Sequence, residues 1–187
     1  VLALIVSFIK RVDDPGAKSE ATRVLTNLIK TIWVEKNNNA LRSKLLETST
    51  IEPIIELICT SQFPILKNDG IMALTLVFSD KENSSNIVQV ISLLTASTYE
   101  VEGKGKMSLI QVLSNDICSN KSELPIQIKC NACILLCKIV EVVRTIPEKR
   151  NVIESVKSNS LSGLKLIKQD SELYKYTSAL MSALEKQ

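Results

Sequence analysis

Apolar residues recur along almost the whole chain at the i, i+3 and i+4 spacing of helices, and they do not alternate as they would in strands. Stretches rich in Pro, Gly and Asn, such as the three asparagines at 37–39, separate the apolar segments. Residues 99–106, which include two glycines, are predicted to form a loop, and Thr50 is predicted to be an N-cap. The pattern predicts helices at 1–12, 17–35, 40–47, 51–59, 64–78, 86–96, 107–118, 125–144, 147–157, 161–168 and 171–186.

The longer helices share a short motif of two apolar residues, a small or soft residue, a variable position and another apolar residue. Its second position is Leu25, Leu74, Leu136 and Leu180, at separations of 49, 62 and 44 residues. Armadillo and HEAT units run about 40 to 47 residues, so the middle unit is longer by roughly 15 residues, which we assign to the surroundings of the predicted loop. The sequence therefore predicts an all-α, armadillo/HEAT-type α-solenoid of about four stacked repeats. We expect a single domain, 1–187, with units near 1–36, 37–80, 81–145 and 146–187.

The start of the chain, its longest apolar stretch and its cysteines bear on where the protein is located. The chain starts on an apolar run without an initiator Met or a signal-peptide pattern, so we expect the C-terminal fragment of a longer solenoid. Its longest uninterrupted apolar stretch, Val1–Val6, is far shorter than the ~18 residues of a membrane span. Five cysteines, an odd number, fit a reducing compartment. We therefore expect a cytoplasmic protein without membrane insertion.

Composition and charge argue against several classes of function. The chain has 23 basic and 20 acidic residues, and no run of five basic residues of the kind that binds a phosphate backbone, so nucleic acid is not an expected partner. It has no histidine, which removes the Ser/His and Cys/His nucleophile pairs. The glycine- and lysine-containing stretch 103–106 lacks the spacing of a phosphate-binding loop. These features predict a protein that is not an enzyme and needs no cofactor.

Three cysteines, Cys130, Cys133 and Cys137, lie on one face of a predicted helix. They could offer soft ligands to a metal if Cys59, Cys118 or a carboxylate completed the set. Because free cysteines are often buried as small hydrophobic residues, we favour core packing and predict no metal site. Trp33, at helical spacing from neighbouring isoleucines, is likewise expected to fill space.

The exposed side of the four longer helices is where a partner would bind if the units stack regularly. From the aligned motif we select Glu20, Arg23, Asn27, Asp69, Asn131 and Lys138 as candidate partner-binding residues. We expect replacement of three of them, Glu20, Asp69 and Asn131, by Ala to weaken binding without changing stability. Alignment of the motif places twelve residues in three rows: Glu20, Asp69, Asn131 and Lys175; Arg23, Met72, Ile134 and Ser178; Asn27, Leu76, Lys138 and Ser182.

Three segments carry a resemblance to a known family. Residues 1–28, 66–76 (LKNDGIMALTL) and 126–137 (IQIKCNACILLC) resemble the C-terminal armadillo repeats of the small G-protein GDP dissociation stimulators. The likeness extends over nearly the whole chain in the order and length of its segments. It implies a cytosolic protein that binds small GTPases of Rho or Rap type, promotes guanine-nucleotide exchange and accompanies prenylated forms. In that family the working surface is lined by the third helix of each unit.

A general scaffold or adaptor solenoid that binds peptides or other proteins is the alternative function. Armadillo proteins that hold nuclear-import peptides pair a Trp with an Asn one turn later. Here Arg23 takes the place of the Trp before Asn27, and Met72 and Ile134 take the next two equivalent places. The chain therefore lacks the stacking residues with which those proteins hold a peptide.

Overall fold

The computed structural model describes residues 1–35, 38–80, 84–119 and 124–186. Within these ranges the chain is all-helical apart from one short hairpin, so the predicted all-α class is confirmed. A short 3-10 turn, Pro147–Lys149, lies in front of α9. The elements are α1 Leu2–Arg11, α2 Pro15–Val34, α3 Asn39–Leu45, α4 Thr48–Thr60, α5 Pro64–Ser79, α6 Ser84–Ala96, β1 Tyr99–Val101, β2 Gly105–Met107, α7 Leu109–Cys118, α8 Ile126–Arg144, α9 Asn151–Leu164 and α10 Tyr174–Glu185.

The helices pack as two layers. In the first, α2, α5, α8 and α10 lie side by side in chain order, and in the second, α7 packs on α9 and makes a smaller contact with α4. The C-terminal ends of α8 and α10 lie together, since Arg144 at the end of α8 donates hydrogen bonds to the carbonyls of Ala183 and Lys186 at the end of α10. This packing is consistent with a helical repeat.

The leucines that define the sequence motif lie in the core. Leu25, Leu74, Leu136 and Leu180 each have a relative exposure of 0%. Leu25, Leu74 and Leu136 are each the eleventh residue of their helices, and Leu180 is the seventh residue of α10. All four belong to one core cluster, so the motif marks buried positions.

Several helix ends follow from local sequence. The Asp14 carboxylate accepts a hydrogen bond from the Ala17 amide at 2.6 Å, and Pro15 occupies the first turn of α2. Ser108 and Gln111 form a capping box at α7. The prediction of Thr50 as an N-cap is wrong: α4 begins at Thr48, and Thr50 is buried inside the helix. Asparagines 37–39 were predicted to break the helix. Asn37 lies outside the described residues, Asn38 is the N-cap of α3, and α3 begins at Asn39.

The predicted loop 99–106 is instead largely a β-hairpin. Tyr99 pairs with Met107 in an antiparallel register, and the Lys104 amide bonds the Val101 carbonyl at 2.9 Å across the turn. Gly103 and Gly105 have φ of 69° and 74°, conformations that glycine adopts without a side-chain clash. The hairpin packs on α4, and its inward residues Tyr99, Val101 and Met107 contact the core. The hairpin lies within the predicted third unit, 81–145.

The prediction of separate helices at 147–157 and 161–168 is also wrong, because α9 is continuous from Asn151 to Leu164. Its polar centre does not interrupt it. The Asn159 amide donates to the Ser155 carbonyl at 2.7 Å, and the Ser160 hydroxyl donates to the Val156 carbonyl at 2.7 Å. The last unit thus has a 3-10 turn followed by two helices, where three helices were expected.

Candidate protein-binding surface

The three predicted rows lie on the layer made by α2, α5, α8 and α10, and we call their twelve positions the row surface. None of the twelve residues is buried, although most leucines of the same helices are buried in the core. Glu20 and Asn27 on α2 are exposed, and Met72 on α5 is 38% exposed. The row surface therefore offers side chains from four consecutive helices to a partner.

Asp69 is held by two cations of the neighbouring helix. Its carboxylate lies 3.0 Å from Arg23 Nε and 2.7 Å from Lys30 Nζ, and its side chain is only 17% exposed. Arg23 also lies 3.9 Å from Glu20 on its own helix. Asp69 therefore joins α5 to α2 and orients Arg23, so its carboxylate is already engaged within the chain.

This geometry corrects the expectation that the triple Ala variant keeps its stability. Removing Asp69 would leave Arg23 and Lys30 without their interhelical partner. Hydrogen bonds to charged groups contribute about 1.5 to 3 kcal/mol, whereas largely exposed ion pairs contribute about 1 kcal/mol or less. Because Arg23 and Lys30 are 39% and 31% exposed, we expect a cost between these two cases.

Asn131 joins α8 to α5. Its Nδ2 donates to Asn68 Oδ1 at 2.8 Å, and its Oδ1 accepts from Gln127 Nε2 at 3.3 Å. The Asn131 side chain therefore links α8 to α5, as Asp69 links α5 to α2.

The other two candidates are freer. Among the described residues, Lys138 pairs only with Glu141, one turn along the same helix, at 2.7 Å. Such an exposed pair contributes roughly 0.3 to 0.5 kcal/mol, so a carboxylate of a partner can displace it. Asn27 makes no side-chain hydrogen bond within the part of the chain that the structure describes.

Sequence reasoning left several important members out of the candidate set. Lys30 was missed although it lies seven residues after Arg23, and therefore on the same face of α2. Asn68 was missed because its partnership with Asn131 depends on how α5 and α8 align. The partly exposed apolar side chains of Met72, Leu76 and Ile134 were placed in the rows but not selected. They give the centre of the row surface an apolar patch.

A cavity of about 580 Å³ opens at one edge of the row surface, beside the first turns of α2 and α5. Glu20 and Arg23 line one side of it, and Phe63 and Ile65 line the other. These two apolar side chains are 66% and 63% exposed. The edge therefore combines charged groups with apolar anchors.

The cysteines pack inside the fold. Cys130 and Cys133 are fully buried, and Cys137 is half-buried. Burial raises the pKa of Cys137 to about 11, so its thiol is protonated at neutral pH. Across the described ranges, no group of three or more His, Cys, Asp or Glu residues is arranged to hold a metal ion.

Trp33 packs against the core, as expected, and also takes part in an interhelical contact. The Arg42 guanidinium lies 5.5 Å from its ring centroid and donates to the carbonyls of Trp33 and Glu35 at 3.3 and 2.9 Å. Arg42 also pairs with Asp80 at 3.2 Å. Arg42 therefore closes the C-terminal end of α2 and ties it to α3 and the end of α5.

None of the helices in the described ranges is both long enough and apolar enough to cross a membrane. Comparison with known proteins adds no relative, since no protein-family model, curated protein or solved structure matches the chain.

Proposed function

We propose that this chain is an armadillo/HEAT-type α-solenoid module that binds a protein partner on its row surface. The observation that carries the proposal is the contrast along each first-layer helix: its motif leucine is fully buried while its row positions remain accessible. A helix layer of this kind presents a broad surface assembled from several units, which is how repeat proteins bind partners.

The chemistry of the row surface suits a folded partner. The apolar patch of Met72, Leu76 and Ile134 provides an area that gains free energy when it leaves water. Asn27 and Lys138 lie in the same row as Leu76 and offer polar groups beside that patch. Interfaces commonly combine an apolar centre with a polar rim, which matches this arrangement.

The partner that we propose is a small GTPase of Rho or Rap type, and this step rests on the sequence resemblance. The module would bind the nucleotide-poor form of the GTPase more tightly than the nucleotide-bound form and so promote guanine-nucleotide exchange. Binding of this kind shifts an equilibrium by differential affinity and requires no bond chemistry from the module.

The first experiment measures binding of the full chain to Rho- and Rap-type GTPases, each with and without its prenyl group and in nucleotide-free and GDP-bound states. We expect tighter binding to the nucleotide-free state and faster GDP release. Equal affinity for both nucleotide states would exclude the exchange mechanism. No binding to any of these proteins would exclude a small GTPase of Rho or Rap type as the partner.

A matched pair of double variants tests the surface. Asn27→Ala with Lys138→Ala changes the row surface, while Glu154→Ala with Ser158→Ala changes exposed positions on α9. We expect the first pair to weaken binding about fivefold or more, because each lost contact contributes about 1 kcal/mol, and the second pair to leave it unchanged. If only the α9 pair weakens binding, the partner-binding site lies on the second layer.

An adaptor that binds peptides is the second candidate. The cavity lined by Phe63 and Ile65 favours it, since an apolar side chain of a peptide would fit between them. For such an adaptor we expect Phe63→Ala to weaken peptide binding, while the Asn27/Lys138 variant binds the peptide as the parent does.

A further inference from the structure

A cleft lies between α1 and the junction of α3 with α4, away from the row surface. It has a volume of about 720 Å³, within the range of ligand-binding clefts. We call it the α1–α3 cleft. Apart from Thr50, its described lining residues are all exposed or half-buried, so a ligand can contact them. The lining includes Leu2, Val6, Lys10 and Arg11 of α1, Lys44 of α3, and Glu47 in front of α4.

Three cations line this cleft from two different helices. Lys10 and Arg11 lie in the last turn of α1, and Lys44 lies in the last turn of α3. All three are exposed, and none forms an ion pair with a residue that the structure describes. Arg23 on the row surface differs, because Asp69 already holds it. The cations of the cleft are therefore available to a negatively charged ligand.

Acidic groups do not cancel this positive charge. Glu47 is the one acidic residue among the described lining residues, against three basic ones. Neither α1 nor α3 contains an acidic residue. Asp13, in the turn after α1, lines a different cavity together with Lys18. The partial negative charges at the C-terminal ends of α1 and α3 are partly offset by the N-terminal end of α4, so the side chains leave the cleft positive.

The fold holds both walls of the cleft in place. Ile9, next to Lys10, is 3% exposed, and Leu45, next to Lys44, is 1% exposed, and both belong to the core cluster. The core therefore fixes the helix ends that carry the cations, while the charged groups remain in water. Leu2 and Val6, one turn apart on α1, add an apolar wall.

The combination of free cations and an apolar wall selects the ligand. A carboxylate gains charge-assisted hydrogen bonds from the cations, and Arg11 can bond it through two parallel N–H groups. An aliphatic side chain gains free energy by leaving water against Leu2 and Val6. A phosphate ion would use the cations alone, and a flat membrane surface would not fill a concave cleft. An acidic segment that also carries aliphatic residues uses both features.

We propose that the α1–α3 cleft binds an acidic segment of a protein partner. One carboxylate of the segment pairs with Lys10 and Arg11, a second pairs with Lys44, and an aliphatic side chain between them packs on the apolar wall. This inference goes beyond the proposed function, because the lining of the cleft includes no residue of the row surface.

The test is a fluorescence anisotropy titration of the full chain with two labelled peptides of matched size. They are fluorescein-Gly-Glu-Leu-Asp-Leu-Glu-amide and its uncharged counterpart, fluorescein-Gly-Gln-Leu-Asn-Leu-Gln-amide. We expect saturable binding of the acidic peptide and binding of the uncharged peptide that is at least about fivefold weaker, because its ion pairs are lost. No binding of the acidic peptide, or equal binding of both, would overturn the proposal.

A matched pair of double variants locates the binding. Arg11→Gln with Lys44→Gln removes two positive charges from the cleft, and Lys104→Gln with Lys106→Gln removes two from exposed positions of the hairpin. We expect the first pair to bind the acidic peptide at least about fivefold more weakly and the second pair to bind it as the parent does. Equal losses in the two variants would mean that binding follows net charge, and no loss in the first would place the peptide elsewhere. Either result overturns the proposal.

Two further probes test other sources of negative charge. Inorganic phosphate, or vesicles of phosphatidylserine and phosphatidylcholine, is added to the complex with the acidic peptide. We expect neither to displace the peptide, whereas unlabelled peptide at the same concentration does. Displacement by phosphate would indicate a simple anion site, and displacement by vesicles would indicate a membrane-binding surface; each would overturn the proposal. The Asn27/Lys138 variant should bind the peptide as the parent does, so failure of the row surface and failure of the cleft are distinguishable.

Discussion

Two aspartates join neighbouring helices of this protein at different depths. Asp116 on α7 lies 2.6 Å from Lys67 on α5, and the two side chains are only 7% and 10% exposed. Asp69 is 17% exposed and bonds to Arg23 and Lys30, which remain 39% and 31% exposed. The same chemistry thus serves two purposes: the deep pair holds the two layers together, and the shallow cluster joins helices while leaving its cations accessible to a partner.

The largest effect is expected from Asp116→Ala. Removing one member of a buried pair leaves the other charge without compensation, at a cost of about 3 to 5 kcal/mol. Chemical denaturation measures this change. The double variant Lys67→Met with Asp116→Leu should recover most of the loss, because no isolated charge remains. If Asp116→Ala costs no more than Asp69→Ala, the distinction between the deep pair and the shallow cluster is wrong.

A leucine pair on α5 makes the same comparison without charges. Leu74 has a relative exposure of 0%, whereas Leu76, two residues later, is half-buried on the row surface. We expect Leu74→Ala to lower the free energy of unfolding by about 2 to 5 kcal/mol through the cavity that it leaves. Leu76→Ala should cost clearly less and instead weaken partner binding. Equal losses of unfolding free energy in the two variants would show that the buried and exposed faces of α5 have been misassigned.

The shallow cluster itself should contribute modestly. Asp69→Ala removes two partly exposed interactions and should lower the free energy of unfolding by about 1 to 2 kcal/mol. The difference between parent and variant should shrink at high salt, because salt screens the ion pairs of the parent. Lys138→Ala serves as the matched control. Within the described ranges Lys138 pairs only with a residue of its own helix, so its loss should change stability by less than about 0.5 kcal/mol. A thermal melt of each variant at low and high salt separates the two.

The smallest effect concerns pH. Burial raises the pKa of Cys59 from 9.0 to about 12, so above pH 9 the unfolded chain releases a proton that the folded chain retains. Stability from this group is present below pH 9 and falls as pH rises toward 12, by at most about 1.4 kcal/mol per pH unit. Unfolding measured at pH 8 and pH 10 should show a shallower decline in Cys59→Ala. The same decline in both proteins would contradict this prediction.

The buried positions of the long helices were predictable because they leave a periodic signal. Leu25, Leu74, Leu136 and Leu180 must be apolar to fill equivalent places between layers, and that requirement is visible in one sequence. The rows follow from the same alignment, since residues at fixed offsets from a buried leucine share a helix face.

What could not be predicted depends on contacts between segments. Lys67 and Asp116 are 49 residues apart, and only the tertiary fold brings their side chains together. The role of Asp69 likewise depends on the register between α2 and α5. The polar run at 158–160 suggested a break, but serine and asparagine side chains can bond carbonyls of their own helix and leave it intact.

Methyl NMR of the row surface during addition of a nucleotide-free Rho-type GTPase tests partner binding there most directly. Met72 and Ile134 report on the apolar patch, and Ile153, buried in α9, serves as the internal control. We expect the Met72 and Ile134 methyl signals to shift or broaden as the GTPase is added, while the Ile153 signal stays unchanged. Unchanged Met72 and Ile134 signals at saturating GTPase would contradict binding on the row surface.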